Sequence, residues 1–334
     1  MKSKTKIENI TTGNMVYGNF LLILCLFLFL SLFFRQQASA IEQQENPGKL
    51  IYVYGDRDLE TPDLQRAFGL VTLVEFDGKR ILFDTGGDGS ILQNNMNKMG
   101  IDPKSLDLVV ISHHHWEMVG GVDFLLQQNP NLRVISTNKV VSLLKGYHKE
   151  WHVENIGQSL KITPNIFVMK LKSGFMQGGP MGIEELHLIL KTKKGLVILE
   201  GCGHPGVLKV VTESMTQLHE KKMYLLSGGT QLLDRGHKVM LSSCDSEFHK
   251  YVLGKMPMKS LQCGQQFSIP QPHPYSDNEV AHIANQLIAT GMQYIVPTLC
   301  TGERPEKIFA NYFHEKYISQ KLGLSIPLPL PATL

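Results

Sequence analysis

The sequence predicts an α/β protein built from two mixed β-sheets packed face to face, with helices on the outside. Three observations carry this expectation. Short β-rich runs alternate with amphipathic helical runs. Their order, strands followed by βα units, occurs twice along the chain. Several runs are so continuously apolar that a sheet covered on both faces is the natural place to bury them.

Taken in order, "LIYVYG" (50–55), "LVTLVEF" (70–76) and "KRILFDTGG" (79–87) read as strands, the last two joined by an Asp-Gly turn at 77–78. "SILQNNMNKMG" (90–100) reads as a helix closed by a glycine. "LDLVVIS" (106–112) is a buried strand that runs straight into "SHHHWEMVGG" (112–121). A helix with "VDFLLQQ", a strand "LRVIST" (132–137) and a helix "KVVSLLKGY" (139–147) follow. Two strand pairs come next, at 160–171 and 185–204, then a helix at 206–220 and a strand at 222–229. Residues 232–276 read as loop-rich. The chain closes with helix "DNEVAHIANQLIAT", strand "QYIVPT" and helix "ERPEKIFANYFHEKY". The expected organisation is therefore a domain over 50–320, a linker at 41–49 and an extended tail at 321–334.

Residues 1–40 have the layout of a secretory signal peptide. Lys2, Lys4 and Lys6 precede an apolar run from Phe20 to Phe34, and Ala38-Ser39-Ala40 resembles a cleavage site. An uncleaved N-terminal membrane anchor is the alternative. The protein is accordingly expected to be exported, periplasmic or secreted, with membrane contact only through this segment if it is retained. Without the leader, Lys+Arg falls from 33 to 29 and Asp+Glu from 30 to 29, so the formal net charge of +3 becomes zero. No basic field remains to recruit nucleic acid. Four of the five cysteines lie outside the leader. Their spacing matches neither a disulfide framework nor a CxxC zinc site, and Cys244–Cys263 is the pair that export would most readily oxidise.

The chemistry concentrates at strand ends. His113 and His115, two residues apart where a strand ends, point to the same side and can converge on one ion, while His114 points away. His204 in "GCGHPG" also follows an apolar strand and supplies a third imidazole. Three His ligands with an open position make the donor set of a catalytic zinc. His148 and His152 lack the glutamate that a zincin helix needs and read as surface. Lone histidines such as His187 read as core or surface polar groups.

"DTGG" (84–87), "SHHHWEMVGG", "GCGHPG", "SGGTQL" (227–232) and "PTLCTG" (297–302), in this order, resemble the motifs of the metallo-β-lactamase superfamily. More narrowly they are similar to its branch of metal-dependent hydrolases related to dihydropterin-aminobenzene-phosphate synthase. The resemblance implies a four-layer αββα sandwich. It places one divalent ion, zinc in the first instance, on His113, His115 and His204. It also implies that Asp84 orients the ligand loop, and that Glu117 stands at the position of a metal-binding aspartate. Met118, Gln231 and Leu299 stand where the branch carries histidines, so the second metal position loses most of its ligands. Two functions are consistent with this pattern. One is a mononuclear hydrolase of an ester, lactone or phosphoester, a small-molecule substrate, with Glu117 as fourth ligand or general base. The other is a non-catalytic member that uses the fold as a binding or partner module.

Overall fold

The structure is a computed structural model that describes residues 48–173, 182–241, 246–256, 264–269 and 274–331. The leader, residues 41–47 of the linker, and Cys244 and Cys263 lie outside the described residues. Among the described residues no helix is long and apolar enough to cross a membrane.

The chain runs β1 (Gly48–Tyr54), β2 (Val71–Phe76), β3 (Lys79–Phe83), α1 (Gly89–Lys98), β4 (Leu108–Val110), α2 (Trp116–Val119), α3 (Val122–Gln128), β5 (Val134–Ser136), α4 (Asn138–Tyr147) and β6 (Val153–Asn155). The second half holds β7 (Ser159–Thr163), β8 (Ile166–Lys172), β9 (Glu184–Thr192), β10 (Gly195–Leu199), α5 (Val207–Gln217) and β11 (Met223–Gly228). It ends with β12 (Lys238–Met240), α6 (Glu247–Gly254), β13 (Gln266–Ser268), α7 (Asp277–Ala289), β14 (Tyr294–Pro297), α8 (Glu303–Phe313) and β15 (Ser325–Leu328). One sheet has the order β15-β1-β2-β3-β4-β5-β6, the other β14-β11-β10-β9-β8-β7, and β12 and β13 form a separate ribbon. Both large sheets are mixed.

Period-two alternation divides the core into layers. Leu188 and Leu190 of β9 and Val197 and Leu199 of β10 join a cluster with Leu50, Leu73 and Val109 of the first sheet, between the two sheets. Their neighbours Ile189, Leu196 and Ile198 face the other way and pack with Val210 of α5, Leu287 of α7 and Phe309 of α8. Because both faces are covered, the strands read as unbroken hydrocarbon. On the first sheet, Leu92 of α1, Leu125 of α3 and Leu144 of α4 complete the same inner cluster. Tyr52 Oη and Ser227 Oγ, 2.7 Å apart and buried, tie β1 to β11 across the interface. The four-layer αββα arrangement expected from the resemblance is present.

Two boundaries differ from expectation. The linker ends earlier, because Gly48 and Lys49 already pair in β1. The extended tail belongs to the domain: β15 pairs antiparallel with β1, Gly48 opposite Leu328, and buries Ile326 and Leu328 while Pro327 faces outward. Prolines weaken a strand reading in sequence, yet an edge strand tolerates them because its outer N–H groups need no partner. The loop-rich stretch 232–276 holds the β12–β13 ribbon and α6, whose Phe248 and Val252 enter the core. Strands of three residues are too short to show a period.

Asp84, His113, His204, Gln231 and Cys300 follow β3, β4, β10, β11 and β14, each a strand with a parallel neighbour. Ligand sites form at that carboxyl edge of α/β sheets. The turn into α3 is set by close approach: a Cβ on Gly120 would stand 2.1 Å from Gly87 O, and one on Gly121 2.1 Å from Thr85 O. Gly120→Ala is therefore expected to destabilise the fold by about 3 kcal/mol, read as a fall in Tm of roughly 6 °C. An unchanged Tm would contradict this packing.

Candidate metal centre

The loop after β4 is held at its first residue. Asp84 Oδ1 accepts the Ser112 N–H at 2.6 Å, and Ser112 O accepts the Leu186 N–H of β9 at 2.8 Å. Ser112 Oγ lies 2.9 Å from His113 Nδ1, which orients that ring. His115 is the extended N-cap of α2, so the chain turns there and its ring swings toward His113. The loop after β10 is held by Glu185, whose two carboxylate oxygens accept the N–H groups of Gly203 at 2.9 Å and His204 at 2.8 Å.

These anchors bring the three expected ligands together. His113 Nε2 is 3.1 Å and His204 Nε2 3.3 Å from His115 Nδ1. Tetrahedral ligands at a zinc–nitrogen distance of 2.0–2.1 Å stand about 3.3 Å apart. The rings meet in T-shaped pairs, nearly perpendicular, with centroids 4.7–4.9 Å apart. One Nδ1 facing two Nε2 atoms has a single lone pair or a single hydrogen to offer, so hydrogen bonding cannot satisfy both contacts well. A cation at their centre satisfies all three lone pairs, and the donor set fits a divalent ion. Burial, reinforced by neighbouring imidazoles, pushes His113 and His204 well below the ordinary histidine range, leaving them in the neutral form that ligates. His114 is pushed down to about 3, first by burial and then by His115 and Lys139, and it stands outside this group.

Glu117 Oε1 lies 3.5 Å from His115 Nδ1 and 3.7 Å from Cys202 Sγ. Asp84 touches no ligand ring directly. It acts through the Ser112 N–H, and its second oxygen has no hydrogen-bond partner among the described residues. Burial raises its carboxyl well above the usual range, with Glu185 and Glu117 adding to the effect. Met118 and Leu299 are buried in the hydrocarbon core. The Met118 carbonyl accepts both the Thr85 N–H and the Thr85 hydroxyl, which fixes the backbone at that position. Gln231 takes a positive φ of 55°. His148 and His152 are exposed, and His148 ends α4 rather than lying within it.

Sequence reasoning missed the buried acids. Glu185 and Glu200 sit in or just beyond apolar strands, fully buried, and the acid directly before "GCGH" was the available signal. Burial raises Glu185 to about 7 even though backbone N–H groups oppose the rise, and burial with the nearby Glu185 raises Glu200 well above the usual range. Cys202 and Cys300 are 98 residues apart in sequence with their sulfurs 3.0 Å apart. Cys202 also stands within 4.8 Å of the three imidazole nitrogens.

Known proteins agree with this geometry. The metallo-β-lactamase superfamily profile matches residues 64–207, which include Asp84, His113, His115, Glu117 and His204. The chain is 27% identical over 218 residues, 52% of its length, to 7,8-dihydropterin-6-methyl-4-(β-D-ribofuranosyl)-aminobenzene-5'-phosphate synthase of Methanocaldococcus jannaschii, covering 74% of that protein. The fold superposes on a metal-dependent hydrolase of the β-lactamase superfamily with a TM-score of 0.58 at 20% identity, over 84% of this chain and 98% of that one. It also superposes on the metallo-β-lactamase fold protein YhfI of Bacillus subtilis with a TM-score of 0.50 at 13% identity, over 85% and 100%. Residues 64–207 carry a match to the metallo-β-lactamase superfamily, and the fold is that of its solved members. The chain has the hydrolase-like fold of that superfamily and a group of residues able to hold a metal.

His187 is fully buried, both ring nitrogens lack a hydrogen bond among the described residues, and burial lowers its pKa to about 3. The unfolded chain takes up this proton below pH 6.5 while the folded protein does not, so stability falls as pH drops. Between pH 7 and pH 5 the loss from this one residue is about 2 kcal/mol. Urea unfolding of the metal-free His187→Leu variant should show a pH-dependent loss smaller by that amount. Equal losses in both proteins would refute the assignment.

Proposed function

We propose that the protein is a mononuclear metal-dependent hydrolase acting on an ester, lactone or phosphoester. The observation that supports this most is the convergence of His113 Nε2, His115 Nδ1 and His204 Nε2 at 3.1–3.3 Å. A divalent ion held there, zinc by the chemistry of three imidazoles, supplies Lewis-acid polarisation and a lowered pKa for water. The chain's own residues supply the rest. Glu117, with its carboxylate 3.5 Å from His115, holds a proton acceptor at the edge of the site and can hand the proton to a leaving group. Asp84 positions the His113 loop through the Ser112 N–H, and Glu185 positions the His204 loop. The leader-like first 40 residues support an exported or N-terminally anchored setting for this activity.

A non-catalytic binding or partner module is the second reading. It is favoured by the hydrocarbon of Met118 and Leu299, buried at positions where relatives of the dihydropterin branch carry ligands. Metal analysis combined with an ester, lactone and phosphodiester panel separates the two. The hydrolase reading expects close to one equivalent of zinc and a turnover that His115→Ala abolishes. Glu117→Gln should lower kcat by about 10²–10⁴-fold with zinc retained. Well under one equivalent of any transition metal after growth in supplemented medium would overturn this reading.

A further inference from the structure

We propose that Glu117, Cys202 and Cys300 form a second cation site, selective for soft, thiophilic ions, beside the imidazole group. It goes beyond the hydrolase reading and does not depend on it; Glu117 serves as proton acceptor there only while this second site is empty. The two sulfurs are 3.0 Å apart, closer than unbonded sulfurs ordinarily rest, and Glu117 Oε1 is 3.7 Å from Cys202 Sγ. All three side chains are buried, and their donor atoms lie within 4.8 Å of one another. A tetrahedral ion with sulfur at about 2.3 Å and oxygen at about 2.1 Å separates an S and an O ligand by about 3.6 Å, and two S ligands by about 3.8 Å. The carboxylate–sulfur distance already fits, and the sulfurs need to part by less than about 1 Å.

The chemistry of the neighbours selects the ion. Met118 and Leu299 are packed into hydrocarbon and offer no ligand to a hard or borderline ion. What remains is one carboxylate and two thiols, a set that prefers zinc-like and softer ions to magnesium or calcium. The loops that carry Cys202 and Cys300 are locked together through Gly229, on which a Cβ would meet Leu299 O at 2.5 Å and Cys202 Cα at 2.9 Å. As the ion enters, each sulfur–metal bond replaces an S–H bond and the two protons leave to solvent. One dication thus replaces two protons, and the net charge of the group is unchanged by binding.

Titration of the reduced, metal-free protein with Cd²⁺ tests the site, using the thiolate-to-cadmium charge-transfer absorption as readout. Two equivalents should bind, and the absorption should grow with one of them. Cys202→Ser and Cys300→Ser should each abolish the absorption and one equivalent while the other equivalent remains. His115→Ala should do the reverse, keeping the absorption and losing the other equivalent. Glu117→Gln, which keeps both sulfurs, should weaken the absorbing site by about 10–100-fold, and covers the case in which a serine variant does not fold. Absence of the absorption would overturn the proposal, as would recovery of Cys202–Cys300 only as a disulfide under reductant. Loss of the absorption in His115→Ala would also overturn it, since Cys202 would then be a fourth ligand of the imidazole site. If the imidazoles hold no ion at all, the unsubstituted protein itself binds a single, absorbing equivalent that His115→Ala leaves unchanged, so failure of the hydrolase reading is distinguishable.

Discussion

The centre depends on the first residues of β9. Glu185 accepts the backbone N–H groups of Gly203 and His204 on its two oxygens, and the next residue, Leu186, donates its own N–H to Ser112 O. One strand of the second sheet thus grips both histidine loops, one of which descends from the first sheet. Hydrogen bonds to a buried carboxylate contribute about 1.5–3 kcal/mol each, against a desolvation cost that rises with burial. Burial prevails in part, which is why the Glu185 carboxyl is lifted to about 7. On the opposite side Asp84 performs the same task with a single N–H, from Ser112. These clamps, with the core packing of the flanking residues, hold the nitrogens of His115 and His204 at 3.3 Å, 89 residues apart in sequence.

The same constraint keeps the frame independent of the side chains at residues 118, 231 and 299. The imidazole group is positioned by backbone hydrogen bonds to β9 and to Asp84, none of which passes through residues 118, 231 or 299. Met118 contributes its carbonyl to Thr85 whatever its side chain is, so a histidine there could become a methionine without releasing the loop. Its side chain and that of Leu299 then join the core rather than a metal. The frame costs little to keep, and its remaining donors divide into a nitrogen group and a sulfur–carboxylate group that share Cys202.

Much of this was legible in the sequence. The apolar runs revealed the strands because both sheets are covered on both faces, and the i, i+2 spacing of His113 and His115 revealed their convergence at a strand end. What stayed hidden is what only tertiary structure creates. Glu185 looks like an ordinary acid at the start of a strand until the Gly203–His204 loop arrives above it. The closeness of Cys202 and Cys300 depends on β10 and β14 lying in one sheet on either side of β11. The tail is part of the first sheet only because β1 leaves an edge free for it, a fact that no local pattern in "SIPL" records.

The most direct test is anomalous diffraction from crystals of the metal-free protein soaked with stoichiometric zinc. The expected result is a zinc peak about 2.0–2.1 Å from His113 Nε2, His115 Nδ1 and His204 Nε2 together. Zinc absent from that position, or bound only elsewhere on the protein, would contradict the central claim that these three imidazoles form a working metal centre.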